Sequence, residues 1–348
     1  MIQKIKKPLN AALALLVASS MAIGLSGCSD TSWGAECGGE KMPAGVYISN
    51  VLSAYSDGLS QLPDDADTDN VWKNTLDGVN FQVWVQNQTQ ENVRGYFAVE
   101  QKFDEMGLTM DELTKAQADY VAEYQWAYYQ SAYEKNGISK DSYVTSVYNS
   151  YKASLLFDAI YGEGGTEEVP QQELLDKFNA EYASIDRIFI PLTAGDDGSV
   201  SQETMDEALK KAEGYKERME KGETIGALAK EYSNEKAVAA GQEPSDDEVS
   251  TASIISYENS GYSDVFTDAI KSAEKGKPIV IEDDANICLV VVNEVTLESE
   301  VFQSNKSYLL SDLKGEEFED RLIQWGKELD VTFNEAAVSR YDIKKLKI

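Results

Sequence analysis

The period of the apolar residues changes at Ser184, and that change most constrains what this chain can fold into. Upstream, Val46, Ile48, Val51, Leu52, Tyr55 and Leu59 share one face of a helix; three further helical stretches are predicted at about 71–106, 110–135 and 139–161. Thr109, with Glu112 three residues on, has the form of a capping box, and Ser139 is placed to cap the next helix. A short helix is read over 171–182. From Ser184 to Ile190 the pattern alternates and is rich in β-formers, the mark of a half-buried strand. The order predicted over 183–297 is β-α-α-β-α-β-β. From Val301 to Leu329 the helical period returns, followed by a short strand at Val331–Phe333. The reading is an α+β chain, a mainly helical domain (46–182) completed by a C-terminal segment (298–348), with a β-rich module (183–297) inserted.

The chain begins with Lys4, Lys6 and Lys7, then an apolar run of about 15 residues, short of the ~20 that a membrane span needs. The run ends in Leu25-Ser26-Gly27-Cys28, which resembles a bacterial lipobox. That resemblance implies a signal peptide over 1–27 and a diacylglyceryl group on the Cys28 thiol. Two acyl chains at ~0.8 kcal/mol per buried CH₂ give an anchor on the order of 20 kcal/mol, which places the chain on the extracytoplasmic face of the cell membrane. Residues 28–45, small and polar, read as a flexible tether.

Residues 1–27 hold three lysines and no carboxylate, so the remainder carries 28 basic against 61 acidic side chains. Nucleic acid is not an expected partner, because phosphate contacts need clustered Lys and Arg. There is no histidine in the sequence. This excludes imidazole acid/base catalysis, the Ser-His-Asp and Cys-His systems, and the commonest zinc ligand. No metal-ligand spacing, phosphate-cradling glycine loop or nucleophile elbow is present, so neither a metal nor a cofactor is expected. Besides Cys28 there are Cys37, beside two glycines, and Cys288, inside an apolar run; no disulfide framework is expected.

Tyrosines crowd the third and fourth helices. Tyr120, Tyr124 and Tyr128, spaced by four, lie along one face. Two readings stay open: helix–helix packing with the hydroxyls at a wet boundary, or an adaptable amphipathic surface for unfolded chains. Trp72, Trp84 and Trp126 suggest a third reading, stacking on sugars in a solute- or glycan-binding lipoprotein, although the repeated βα units of such proteins are absent.

Three segments of the β-rich module are similar to a parvulin domain: Arg187-Ile188-Phe189-Ile190 as its opening strand; Ala208 to Glu223 with Leu228 to Ser233 as its paired helices; and Val265 to Ile270 with Lys275-Gly276-Lys277 as its third helix and turn. Cys288 to Val295 forms the closing strand. The flanks, Glu316-Glu317-Phe318, Val331 to Asn334 and Ser339-Arg340-Tyr341, resemble the C-terminal part of PrsA/SurA-type extracytoplasmic foldases. The resemblance implies a membrane-anchored chaperone or foldase whose partners are unfolded or nascent exported polypeptides, and, as the alternative, an active peptidyl-prolyl isomerase. It also implies a site with paired histidines. Arg187 stands at the first of these positions, and Ile287 or Cys288, one residue apart in register, at the second. The family's Gly-Gly-x-Leu-Gly segment is replaced by VSTASIIS at 249–256. Phe266 and Tyr262 fall where the family places walls of its proline pocket. A weak or inactive module is therefore expected, because an arginine differs from a neutral imidazole in both charge and shape. The sequence does not give the oligomeric state.

Overall fold

The computed structural model describes residues 32–67, 69–195, 198–258, 261–283, 285–341 and 343–345; the signal-peptide and Cys28 readings lie outside them. The chain divides into two compact units: one takes the chain up to Glu168 and again from Lys314, the other is Val169–Leu313. Among the described residues no helix is long and apolar enough to cross a membrane.

The first unit opens on β1 (Trp33–Cys37) and β2 (Glu40–Pro43), followed by α1 (Ala44–Ser60). The two strands pair antiparallel across Gly38-Gly39, both at positive φ. β1 also pairs with a strand at Val331–Phe333. This corrects the tether reading for 33–43. The segment is poor in apolar residues, but Ala35 and Met42 are buried beside Val331 in a core with Val46, Val51 and Phe81. The partner strand lies almost 300 residues away, beyond the reach of any local pattern.

The helix predicted from Val71 starts ten residues later. β3 (Thr75–Leu76) and β4 (Val79–Asn80) form a tight hairpin around Asp77-Gly78, where φ is 50° and 76°. Asp-Gly is a strong two-residue turn signal, and the helical reading passed over it. Asn80 then caps α2 (Phe81–Glu105) by accepting from the Gln82 N–H at 3.1 Å, and the Trp84 indole N–H donates to Asp77 at 2.8 Å. α3 (Glu112–Lys135) is capped by Asp111, whose carboxylate accepts from the Thr114 N–H at 2.7 Å. The expected Thr109–Glu112 box is thus shifted by two residues, to a better N-cap side chain. α3 ends at Asn136-Gly137, where Gly137 takes φ +82°; Ser139 caps α4 (Lys140–Tyr161) by accepting from the Ser142 N–H at 3.2 Å.

The second unit, Val169–Leu313, takes in α5 (Gln171–Glu181), a helix that the sequence pattern groups with the helical domain over 46–182. Its Lys177 pairs with Asp312 at 2.8 Å. The remaining elements are β5 (Tyr182–Pro191), α6 (Gln202–Glu220), α7 (Ile225–Ala239), β6 (Ala252–Ser256), α8 (Asp264–Ser272), β7 (Pro278–Asp283) and β8 (Asn286–Val292). From β5 on, this is the β-α-α-β-α-β-β order expected. The sheet runs β6-β5-β8-β7, antiparallel throughout. One face, with Ile188, Ile190, Ile287 and Leu289, packs under α6 and α7. The other, with Ile185, Cys288, Val290 and Val292, packs under Phe266 and Ile270 of α8.

α9 (Glu300–Glu328) runs from the second unit into the first, followed by β9 (Val331–Phe333) and α10 (Glu335–Val338). Within the first unit, Arg321 makes a two-pronged bond to Glu167, both contacts 2.6 Å, and a third to Glu317 at 2.7 Å. Lys314 and Tyr161 also donate to Glu317. Lys314 first, then Tyr161 and, more weakly, Arg321 hold the Glu317 carboxyl down at about 2, against 4.5 for a free glutamate. A carboxyl lowered on folding adds stability that is complete above pH ~4.5 and is lost as pH falls towards 2. Melting temperatures followed by circular dichroism between pH 5 and 2 should fall less steeply for Glu317→Gln than for the parent; equal slopes would refute this role.

Candidate functional site

The sheet register decides which of the sequence-nominated residues meet. Along β5 and β8, Phe189 lies opposite Cys288, Arg187 opposite Val290 and Ile190 opposite Ile287. Side chains alternate between faces, so Arg187, Phe189 and Cys288 share the α8 side, while Ile287 points into the α6–α7 core. Of the two residues nominated for the second position, Cys288 therefore shares a face with Arg187, and Ile287 does not.

On that face the side chains are layered. Phe266 is fully buried, with Tyr262 stacked on it at 4.6 Å between ring centroids. Phe189 lies 6.0 Å from Tyr262 at an interplanar angle of 16°. The Arg187 guanidinium carbon is 4.4 Å from the Phe189 centroid and 5.5 Å from that of Tyr262, and its Nη1 donates to the Tyr262 hydroxyl. The guanidinium is thus held over two rings, a cation–π arrangement. Phe266, nominated as a wall of a proline pocket, is covered in this arrangement; Tyr262 and Phe189 are the half-buried aromatics of the layer. Phe189 was not singled out from sequence, although its place two residues after Arg187 on a strand fixes it on the same face.

The chemistry open to this cluster is limited. Burial first, and then the Asp283 charge, push the Cys288 thiol up to about 12, with Arg187 acting the other way. A thiol so raised is protonated at neutral pH and is a poor nucleophile. Arginine is a permanent cation and has no proton to exchange. The cluster can stack on a planar group or donate hydrogen bonds to an acceptor, but it holds no side chain suited to moving a proton near pH 7. Native Cys288 is accordingly expected to resist iodoacetamide at pH 8 for as long as the unit stays folded, and to react on denaturation. Rapid native labelling, located by peptide mass mapping, would contradict its burial.

The third helix supplies a second feature. Ala118, Ala122 and Trp126 of α3 are buried and spaced by four. Tyr120, Tyr124 and Tyr128 are offset from them by two residues, about 200° around the helix. They are 71%, 68% and 78% exposed, with Tyr129 beside them also exposed. Tyr120 stacks on Tyr124 at 6.5 Å, and Tyr128 meets Tyr129 edge-on at 4.7 Å. The packing reading holds instead for Tyr133 and Tyr143, which stack at 4.9 Å beside Trp126. Trp84 and Trp126 are buried, and Trp72 packs against Tyr55 and Phe81. These rings are built into the helical cores and do not form a stacking platform for a sugar. Among the described residues no group of His, Cys, Asp and Glu is placed to hold a metal ion.

The topology and the sequence of the second unit point to one class. Residues 173–296 match the family model of the PPIC-type PPIASE domain, so this segment is a parvulin-type domain. No curated protein matches the chain. Among solved structures it is similar to the foldase protein PrsA from Streptococcus pneumoniae str. Canada MDR_19A, at 14% identity over 79% of this chain and 99% of that one, with a TM-score of 0.35. It is also similar to the foldase protein PrsA from Lactococcus lactis, at 12% identity, 91% and 100% coverage and a TM-score of 0.37. A third is PrsA from Bacillus subtilis, at 16% identity, 80% and 94% coverage and a TM-score of 0.27.

Proposed function

We propose that this chain is a membrane-anchored, extracytoplasmic holder of unfolded exported polypeptides, with a parvulin-type module that binds peptide and has little or no isomerase activity. The observation that carries this reading is the exposed tyrosine row of α3, turned away from the helical core. Tyrosine offers flat apolar area with a hydrogen-bonding tip at low entropic cost, which suits clients of varied sequence. The absence of histidine and the protonated Cys288 thiol support the second half of the reading. Prolyl isomerisation asks only that an amide rotation barrier of about 18–20 kcal/mol be lowered, but the Arg187–Tyr262–Phe266 layer covers the apolar surface that would cradle the ring.

A lipid on Cys28 would keep the tyrosine face where exported chains emerge, so that local concentration makes up for weak affinity. In cells, Cys28→Ser should move the protein from the membrane fraction to the soluble extracytoplasmic fraction; unchanged fractionation would remove the anchor from the mechanism.

The central test is light scattering of a refolding client with and without the purified chain lacking residues 1–27. Suppression of aggregation at near-stoichiometric ratios is expected, and no suppression together with no binding of unfolded peptides would refute the proposal. The family match of 173–296 favours a second reading, an active prolyl isomerase. A protease-coupled proline-peptide assay with a rate above background would establish it over the holder with an inert module.

A further inference from the structure

One unassigned cleft of the second unit lies beside β5, where its outer edge is left open. β6 begins at Ala252, opposite Asp186. The last contact is the Arg187 N–H, which donates to the Thr251 carbonyl at 3.1 Å. Odd-numbered residues of β5 therefore turn their main-chain groups towards β6. Even-numbered ones turn towards β8, as the bonds Asn293 N–H to Ser184 C=O (2.8 Å) and Leu192 N–H to Ala285 C=O (2.9 Å) show. By this alternation the N–H and C=O of Phe189 face the side that β6 has left, an edge open to a further strand.

A cleft of about 420 Å³ occupies that side, bounded by Arg187, Phe189, Tyr232 and Lys236 and by the hydroxyl-bearing stretch Ser250–Thr251. Its two cations stand out in a chain with 61 acidic side chains. Among the described residues Arg187 is bonded through its side chain to a phenol, not to a carboxylate, and Lys236 lies 5.7 Å from the Tyr232 centroid without an ion pair. Asp186, next in sequence to Arg187, has its two oxygens occupied by Thr251 and Asn293.

We infer that this cleft binds an extended, acidic peptide segment: the segment pairs through its main chain with the Phe189 edge and places a carboxylate on Arg187 and Lys236. Main-chain pairing gives sequence-tolerant affinity, and the charge-assisted bonds select for acid. The inference rests on the peptide-holding reading above and adds the chemistry of the segment that the module selects.

The test is fluorescence anisotropy on the whole chain lacking residues 1–27. The probes are three end-capped peptides with an uncharged label and one extended Val/Thr background, carrying Glu, Gln or Lys at two alternate positions. The Glu peptide is expected to bind at least tenfold tighter than the Gln peptide, with the Lys peptide weakest. Lys236→Glu, at an exposed position, should weaken the Glu peptide about tenfold and strengthen the Lys peptide; Arg187→Gln should act in the same direction as far as the Glu peptide is concerned. N-acetylglutamate amide, which has the carboxylate without the extended main chain, should not compete at the same concentration. Equal binding of the three peptides, indifference to Lys236→Glu, or full competition by the single residue would each overturn the inference. Aggregation suppression is read on the same preparations. If suppression persists without preference for acid, this inference alone fails; acid-selective binding without suppression counts against the holder reading and not against the cleft.

Discussion

Replacing Tyr120, Tyr124 and Tyr128 together by serine should remove most of the suppression of client aggregation and leave the fold intact. The three rings are more than two-thirds exposed and lie opposite the buried Ala118–Ala122–Trp126 stripe. Surface substitutions of this kind usually change stability by within ~0.5 kcal/mol each, so the melting transition should barely move. Affinity should respond far more strongly, because aromatic side chains supply much of the apolar contact at adaptable binding surfaces. Placing phenylalanine at the three positions instead separates two contributions: apolar contact alone predicts suppression close to that of the parent, and a required hydroxyl predicts none. Suppression unchanged in the serine variant would place client binding elsewhere on the chain.

Phe266→Ala should be the most damaging single substitution in the parvulin-type unit. The ring is fully buried, packs with Ile270, Cys288 and Val290, and supports the stacked Tyr262. Phe-to-Ala changes in cores cost about 3–5 kcal/mol, part of it for the cavity left behind. In a unit of this size that lowers the melting temperature on the order of 10 °C, measurable by differential scanning calorimetry. The transition of the helical unit is the internal control. A shift of only a degree or two would mean that the layer above Phe266 collapses to fill the space, and that Phe266 serves the surface more than the core.

The features legible in the sequence were those governed by neighbours close along the chain. The change from helical to alternating period at Ser184 gave the α+β class and the element order of the inserted module, because periodicity reports directly which face of an element is buried. The cap at Ser139 follows from the same local chemistry. The Asp77-Gly78 hairpin was equally local and could have been read; the apolar residues around it, Trp72, Leu76 and Val79, happened to fit a helix as well.

What the sequence determined by itself, then, was the element order, the acidic surface and the absence of imidazole chemistry, since each is a property of composition or of residues a few positions apart. Only the tertiary structure could show that 33–43 is sheet, because its partner Val331–Phe333 comes from the far end of the chain. It alone showed that Cys288 and not Ile287 shares the Arg187 face, since a one-residue slip in a strand exchanges its two faces. The same holds for the two groups of tyrosines. The spacing placed Tyr120, Tyr124 and Tyr128 on one side of a helix, but whether that side meets solvent or another helix depends on where α4 docks, which is settled by Ala118, Ala122 and Trp126 on the other side.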